Sequence, residues 1–144
     1  MPVAPVPEGY HTVTPYLTVR DARQLIEFVR QAFGATLRTE PMQDPSGRVA
    51  HAEVQLGDSV VMLGEPMAGT APRPSLLHLY LPDVDAAYER ALAAGAKSVR
   101  APEDQFYGDR SAGVEDGNGN QWWLATHVED LSEAEMRRRA AAKR

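Results

Sequence analysis

The chain has no cysteine, no long apolar run and no excess of basic residues. Without cysteine, disulfide bonds, thiol nucleophiles and thiolate metal sites are all excluded. No stretch is long enough to span a bilayer, and the N-terminal residues do not resemble a signal sequence. The formal net charge of −5 provides no electrostatic footprint for nucleic acid. We therefore expect a cytoplasmic protein that binds neither a membrane nor nucleic acid.

Motifs for two common kinds of chemistry are also missing. No serine lies in a nucleophile elbow, and no glycine-rich loop has the spacing of a phosphate-binding motif. Gly113 and the glycines at 117–119 are typical of a strand and of a hairpin turn. What remains is ordinary for one globular domain, since 43% of the 144 residues are apolar and 24% are charged.

An internal repeat is the most informative feature that is present. Residues 13–63 are weakly echoed by residues 75–124. In each copy a strand-like segment is followed by a helix pattern, and each helix pattern ends at a Gly-Ala pair. A repeat of this length indicates one supersecondary unit used twice.

Hydrophobic periodicity predicts the order β-α-β-β-β in each copy. In the first copy Asp21 is the expected N-cap of the helix and Gly34 its left-handed C-cap. The predicted strands of this copy are 12–19, 35–41, 49–56 and 59–64. The second copy is predicted as strand 75–82, helix 84–94 and strands 97–101, 110–115 and 121–127. We therefore predict an α+β fold in a single domain, 1–144, divided into module one (10–64), a linker (65–74), module two (75–127) and a short C-terminal helix (132–143).

Each helix can cover only one face of its sheet, so we expect the two modules to form a curved mixed sheet around a cavity. Alternate side chains of a strand point to opposite faces. The apolar residues of each strand belong under the helix, which leaves a mixed aromatic and polar set for the cavity. The members of this set are Tyr16, His51, Glu53, His78, Tyr80 and Trp123.

The duplicated module and several segments resemble the vicinal oxygen chelate superfamily. The resemblance covers residues 7–140 and is closest to the PhnB-like branch of the glyoxalase/bleomycin-resistance group. The segments that carry it are 7–17, 78–85, 103–110 and 125–132. The resemblance implies a homodimer, in which the modules pair either within one chain or between two chains.

Enzymes of that superfamily hold a divalent metal with four side chains, one each from the first and last strands of both modules. The matching positions here are Thr14, Met62, Leu76 (or Leu77) and Trp123. None of these residues is a ligand for a hard or borderline divalent ion. We therefore expect no metal and no other cofactor.

The histidines leave one alternative open. His51, Glu53 and His78 would together make a displaced site of two imidazoles and one carboxylate, which suits a divalent metal. The other interpretation is that these groups hydrogen-bond one another or an organic ligand. We expect His11 and His127, near the chain ends, to be structural or exposed.

Aromatic residues suggest what the cavity binds instead. Trp122 and Trp123 are adjacent on a strand, so the parity that puts Leu124 under the helix puts Trp123 in the cavity. There the indole is either a stacking platform for a flat ligand or part of the core. Arg110 and Asp109 are expected either to fix a polar group at the cavity mouth or to pair with each other. Further candidates for the wall are Tyr16, Tyr80, Phe106 and Tyr107.

Two functions of different classes follow. The first is a metal-free protein that sequesters a small planar or aromatic, antibiotic-like molecule, as the bleomycin-resistance members of the superfamily do. The second is an enzyme of the lyase, isomerase or dioxygenase type. It would use either the displaced metal site or acid/base chemistry by His78 or Glu53.

Overall fold

The computed structural model describes residues 2–143 and contains the two predicted modules followed by a short helix. Module one comprises β1 (Tyr16–Thr18), α1 (Ala22–Phe33), β2 (Thr36–Leu37), β3 (Met42–Gln43), β4 (Val49–Leu56) and β5 (Ser59–Gly64). Module two comprises β6 (Leu76–Tyr80), α2 (Val84–Ala93), β7 (Lys97–Asp104), β8 (Asp109–Glu115) and β9 (Gln121–His127). The last element is α3 (Glu133–Ala142). The predicted α+β fold is confirmed.

Both modules have the same sheet topology. The strand order is β1-β5-β4-β2 in module one, with β3 also pairing with β4, and β6-β9-β8-β7 in module two. The first and last strands of each module are parallel neighbours, and the other pairs are antiparallel. Each module is therefore a separate mixed sheet within one chain.

The helices of both modules begin after an aspartate, and the first of these, Asp21, is the predicted N-cap. The side chain of Asp21 accepts a hydrogen bond from Gln24 N, and that of Asp83 accepts one from Ala86 N. Gly34 ends α1 with φ of 71°, a left-handed conformation that glycine adopts at little cost. Local capping chemistry thus sets where these helices start and where α1 stops.

Several strands differ from their predicted bounds. β1 covers only Tyr16–Thr18 rather than 12–19, because the chain before Pro15 leaves the sheet. The strand predicted at 35–41 shortens to β2, and β3 follows just beyond the predicted bounds. Residues 38–41 separate the two strands and include Pro41, which has no N–H to donate to a ladder. β7 extends to Asp104, so that the predicted loop before Arg110 shortens to a tight connection.

One core joins the two modules. It contains the helix-facing residues of both sheets together with the buried sides of α1 and α2. Trp122 of β9 lies in this core, with ring centroids 6.4 Å from Phe28 and 5.4 Å from Phe33 of α1. The modules therefore pack through their helices, and the opposite face of each sheet points away from the core. We call these two outward faces the concave faces.

The turn between β8 and β9 of module two is hydrogen-bonded to the start of α1 in module one. Asn118 Oδ1 accepts a hydrogen bond from Asp21 N at 2.9 Å, and Asn118 Nδ2 donates to Asp21 O at 3.0 Å. Arg20 Nη2 also donates to Gly117 O at 3.3 Å. These contacts fix the start of α1 against the β8–β9 turn of module two.

The C-terminal helix α3 lies on the surface and buries no residue. Its N-cap is Ser132, whose hydroxyl accepts from Glu135 N, as in a Ser-x-x-Glu capping box. Arg138 and then Arg139 hydrogen-bond to Glu135 and lower the pKa of its carboxyl to about 2. Arg137, Arg138 and Arg139 all pair with glutamates, most of them in the same helix. Across residues 2–143, no helix combines the length and apolarity needed to cross a membrane.

Candidate functional site

The strand registers show which residues share a row on the concave faces. Tyr16 of β1 pairs with Met62 of β5, and His78 of β6 pairs with Trp123 of β9. The two pairs occupy equivalent places in their modules because each joins the first strand to the last. One imidazole, a thioether, a phenol and an indole are a poor set of ligands for a divalent metal.

Two of the expected metal-ligand positions lie elsewhere. Thr14 precedes β1 and donates its hydroxyl to His11 O at 3.1 Å. Leu76 begins β6, pairs with Gln121 and is 64% exposed. Neither Thr14 nor Leu76 is a metal ligand by type. The expected positions and the two paired rows therefore do not fit the divalent metal that the resemblance implies.

The displaced metal site is not assembled within one chain. His51 Nε2 and Glu53 Oε2 are 2.7 Å apart on β4, whereas His78 belongs to the other sheet. The described part of the chain, 2–143, contains no group of three His, Cys, Asp or Glu side chains that could hold a metal ion. His51 and Glu53 instead pair with each other.

An aromatic wall covers part of the concave face of module two. The Trp123 indole lies directly above Gly113, where an added Cβ would come within 2.9 Å of the ring. The Arg100 guanidinium carbon lies over the indole, 4.9 Å from its centroid. His78 and Tyr80 meet edge to face with centroids 5.1 Å apart. We call Trp123, His78, Tyr80 and Arg100 the module-two wall.

Arg100 has an unused hydrogen-bond donor at this wall. Its Nη2 donates to Ser111 Oγ, but its Nε is buried and has no hydrogen-bond partner among the described residues. Glu103 Oε1 lies 3.6 Å from that Nε, which is beyond hydrogen-bond length. A buried donor without an acceptor is costly, so the chain itself leaves this guanidinium incompletely hydrogen-bonded.

A buried carboxylate links two further side chains on the same face. Asp109, 3% exposed, accepts from Tyr80 Oη at 2.9 Å and lies 2.8 Å from His127 Nδ1. The other ring nitrogen of His127 is 2.7 Å from Asp130, whose side chain is fully exposed. The bonds to Asp109, and then to Asp130, raise the pKa of His127 above its ordinary value. Asp109 also raises the pKa of Tyr80.

The raised pKa of His127 predicts a pH-dependent contribution to stability. The contribution is fully present below pH 6.5, the ordinary pKa, and is lost as pH rises through the higher folded value. The stability difference between wild type and His127→Ala should therefore shrink as pH rises. NMR titration of the imidazole should show Asp109→Asn moving the pKa back towards 6.5. An unchanged pKa in that variant would contradict the assignment to Asp109.

A second polar cluster occupies the concave face of module one. Tyr10 Oη donates to Glu53 Oε1, while His51 bonds the other carboxylate oxygen. The Arg38 guanidinium lies 4.9 Å from the centroid of the Tyr10 ring, and the Tyr16 ring is 5.7 Å from His51. Hydrogen bonds from His51 and then Tyr10 lower the pKa of Glu53, which keeps this carboxylate ionised.

The predicted loop residues separate in the structure. Arg110 pairs with Asp85 at 2.8 Å and with Asp104 at 3.2 Å. It does not pair with Asp109, because that carboxylate is already held by Tyr80 and His127. Phe106 and Tyr107 contact each other edge to face at 5.1 Å.

Phe106 lies towards the C-terminal helix. Lys143 Nζ lies over the Phe106 ring at 5.8 Å, and residues of α3 line the same depression. Phe106 lies in the turn between β7 and β8 and does not belong to the module-two wall, so it is a useful aromatic control for that wall.

A groove of about 940 Å³ separates the edges of β1 and β6. Tyr16, His78 and Tyr80 stand at this groove together with apolar residues from both modules. β6 has no strand on its outer side among the described residues, and β1 has only a single bridge from Thr18 to Arg73. The two edges are therefore open in the single chain.

Sequence reasoning missed five residues of these clusters. The residues are Tyr10, Arg38, Arg100, Asp109 as a buried acceptor, and His127 as its partner. Periodicity gives no signal for Tyr10 or Arg38, since both lie outside regular strands. For Asp109 and His127 a signal existed, because both lie at the paired ends of neighbouring strands.

Comparison with known proteins agrees with the two-module architecture. The family described as "Glyoxalase/Bleomycin resistance protein/Dioxygenase superfamily" matches residues 10–124. The uncharacterized protein Mb0911c of Mycobacterium bovis is 36% identical over 135 residues, which cover 86% of this chain and 88% of that protein. The uncharacterized protein Rv0887c of Mycobacterium tuberculosis is 36% identical over the same length and is covered to 79%.

Solved structures share the fold at lower identity. TioX from Micromonospora sp. ML1 has a TM-score of 0.67 and 23% identity, covering 82% of this chain and 99% of that one. A glyoxalase/bleomycin resistance protein/dioxygenase family enzyme from Burkholderia phytofirmans PsJN has a TM-score of 0.65 and 20% identity, covering 80% and 97%. At these identities the likeness concerns the fold alone.

Proposed function

Since the chain belongs to the glyoxalase/bleomycin resistance protein/dioxygenase superfamily, we propose that it is a small-molecule-binding protein that works without a metal. Its ligand is a planar aromatic molecule, antibiotic-like in character, held at the module-two wall. We also propose that the protein acts in the cytoplasm. From the sequence resemblance, we infer that the chain belongs to the PhnB-like branch. The observation that carries the proposal is Trp123 lying on the concave face, above Gly113 and below Arg100.

The wall has the chemistry that a flat ligand with one acceptor group requires. Aromatic rings stack on such ligands and bury a large area, which contributes about 1 kcal/mol beyond burial for each good ring pair. The Arg100 guanidinium lies next to the indole and carries a positive charge that suits a carboxylate. An aromatic carboxylate therefore matches the wall better than a planar cation.

Calorimetric titration with 2-naphthoate and with 9-aminoacridine tests this proposal. Wild type should bind 2-naphthoate more tightly, and Trp123→Ala should weaken its binding about tenfold or more because the stacking surface is lost. Phe106→Ala, an aromatic truncation away from the wall, should leave the affinity unchanged. Equal affinity in wild type and Trp123→Ala would contradict the proposal, as would tighter binding of the acridine.

The second candidate is an enzyme that transfers a proton. The specific observation in its favour is that the buried Asp109 holds His127 through Nδ1, as a general base is oriented. His127 Nε2 bonds the fully exposed Asp130 at 2.7 Å, and this bond must open before the imidazole can accept a proton. Turnover of a bound ligand that is lost in His127→Gln and retained in Trp123→Ala would favour this candidate. Stoichiometric metal in the purified protein, lost in His78→Ala, would instead favour a metal enzyme.

A homodimer completes the proposal. Open strand edges attract a further strand, and the exposed apolar residues beside them would be covered by a second copy. Leu76 and Tyr80 on β6 are each 64% exposed, and Tyr16 on β1 is 50% exposed. A two-fold axis would place the β1 edge of one copy beside the β6 edge of the other.

Sedimentation measures the oligomeric state directly. Wild type should sediment as a dimer, and Leu76→Glu should be a monomer because it places a charge at the proposed contact. Val99→Glu is the matched control, since Val99 is 42% exposed on β7 at the far edge of the same sheet. A monomeric wild type, or a monomeric Val99→Glu with a dimeric Leu76→Glu, would overturn the interface.

A further inference from the structure

Tyr10 is bound to the concave face of module one as a ligand would be. It belongs to residues 2–11, which we call the N-terminal arm and which precede the first strand. The phenol hydroxyl of Tyr10 donates to Glu53, and its ring lies under Arg38. The structure therefore contains a direct example of a group that this surface accepts, namely a phenol.

The groups around the phenol are held in place independently of Tyr10. His51 bonds the second oxygen of Glu53 at 2.7 Å, and the Glu53 side chain is 17% exposed. Arg38 is fixed by Gln55, whose Oε1 accepts from Arg38 Nη1 at 3.0 Å. All three partners lie in or beside β2 and β4, so the acceptor and the cation stay in position when the phenol leaves. We call Glu53, His51 and Arg38 the phenol slot.

The slot selects a phenol for two physical reasons. An ionised carboxylate is acceptor-only, so its free oxygen requires a donor such as a hydroxyl. The low pKa of Glu53 keeps the carboxylate in this form. A guanidinium above the ring favours an electron-rich aromatic face through a cation–π interaction. The methyl ether of the same phenol lacks the donor and leaves the carboxylate without that hydrogen bond.

The arm that carries Tyr10 is weakly attached. Residues 2–9 are all exposed, and no backbone–backbone hydrogen bond joins residues 2–11 to residues 12–143. Apart from Tyr10, the hydrogen bonds that hold the arm both involve its last residue, His11. Its Nε2 lies 2.8 Å from Asp58 O, and its carbonyl oxygen accepts from Thr14 Oγ1 at 3.1 Å. Few buried contacts and no ladder bonds place a segment at the low end of local stability.

Module two provides an internal comparison. There Tyr80 donates to Asp109 and His127 bonds the other oxygen, so a tyrosine, a carboxylate and a histidine are again linked in that order. Tyr80, however, is part of strand β6 and cannot leave its partner without disrupting the sheet. Only in module one is the tyrosine carried by a removable segment.

We propose that the phenol slot is a binding site for the phenolic group of a small molecule, and that Tyr10 is a built-in occupant which the ligand displaces. The inference extends the proposed ligand binding to module one and uses none of the residues of the module-two wall, so the two proposals fail separately. A tethered group competes at an effective concentration on the order of millimolar. Removing Tyr10 therefore exposes the intrinsic affinity of the slot.

NMR titration with p-cresol, the tyrosine side chain as a free molecule, tests the proposal on the full chain. Tyr10→Ala should bind p-cresol about tenfold or more tightly than wild type, with shift changes centred on residues 51–55. 4-Methylanisole, the O-methyl ether of p-cresol, has no donor and should not bind. Tyr10→Phe keeps the arm and an aromatic ring at position 10. This variant should bind p-cresol better than wild type, because the phenylalanine ring makes no hydrogen bond to Glu53.

Double variants separate this site from the module-two wall. Adding Glu53→Gln to Tyr10→Ala should abolish p-cresol binding, whereas adding Trp123→Ala should leave it intact. The proposal is overturned if Tyr10→Ala and Tyr10→Phe both bind p-cresol no better than wild type. It is equally overturned if 4-methylanisole binds as well as p-cresol, or if binding survives Glu53→Gln.

Discussion

Trp122→Ala is expected to destabilise the chain by about 3–5 kcal/mol, the range for deleting a large buried aromatic side chain. Trp122 is 1% exposed and belongs to module two, yet it packs against Phe28 and Phe33 of module one. Its Nε1 donates to Asp116 Oδ2 at 2.8 Å. The substitution therefore leaves a cavity between the modules and removes a buried hydrogen bond.

Urea unfolding followed by circular dichroism measures this effect. The midpoint should fall sharply in Trp122→Ala, and one cooperative transition should be retained because α1 and α2 still touch. Trp123→Ala is the adjacent control and should cost clearly less, since that indole is only half-buried on the concave face. A loss in Trp122→Ala no greater than in Trp123→Ala would contradict the packing described here.

Asp116→Ala is expected to cost about 3 kcal/mol, because it leaves several buried donors without an acceptor. The Asp116 carboxylate accepts from the backbone N–H groups of Asn118 and Asn120, from Asn120 Nδ2 and from the Trp122 indole. Asn120 is completely buried and Asp116 is 6% exposed, so water cannot replace the lost oxygens. The same turn carries Asn118, whose side chain is hydrogen-bonded to the Asp21 backbone in module one. Disturbing these bonds adds to the loss of stability.

Thermal and urea denaturation of three variants test this prediction. Asp116→Asn keeps the shape and one acceptor oxygen and should cost less than Asp116→Ala. Asp130→Ala, at a fully exposed carboxylate, should have a small effect, as surface charges generally do. If Asp116→Ala were as mild as Asp130→Ala, the carboxylate would have no structural role.

Much of the fold is predictable because its signals are local. The caps at Asp21 and Asp83 act within three residues of themselves, and strand alternation assigns Leu17, Leu124 and Trp122 to the core from their parity alone. The repeat then indicates that both halves build the same unit. Each of these inferences follows from the local sequence and does not depend on which distant segments come into contact.

The polar clusters are less predictable because they depend on distant segments. Tyr10 reaches Glu53 across 43 positions, and Tyr80 reaches Asp109 across 29. His51 and Glu53 could be placed on one face from alternation, but their partner from the N-terminal arm could not. Strand register is equally hard to predict, since the pairing of Tyr16 with Met62 and of His78 with Trp123 cannot be read from any one strand alone.

The parallel pairing of first and last strands has a consequence for how the chain is made. During synthesis, β1 has no neighbour until β5 leaves the ribosome, so each module can close its sheet only when its final strand appears. α1 is synthesised long before its packing partner Trp122, which belongs to the last strand of the domain. The apolar side of module one is thus incompletely covered for most of translation, and the nascent chain is vulnerable to aggregation until β9 has emerged.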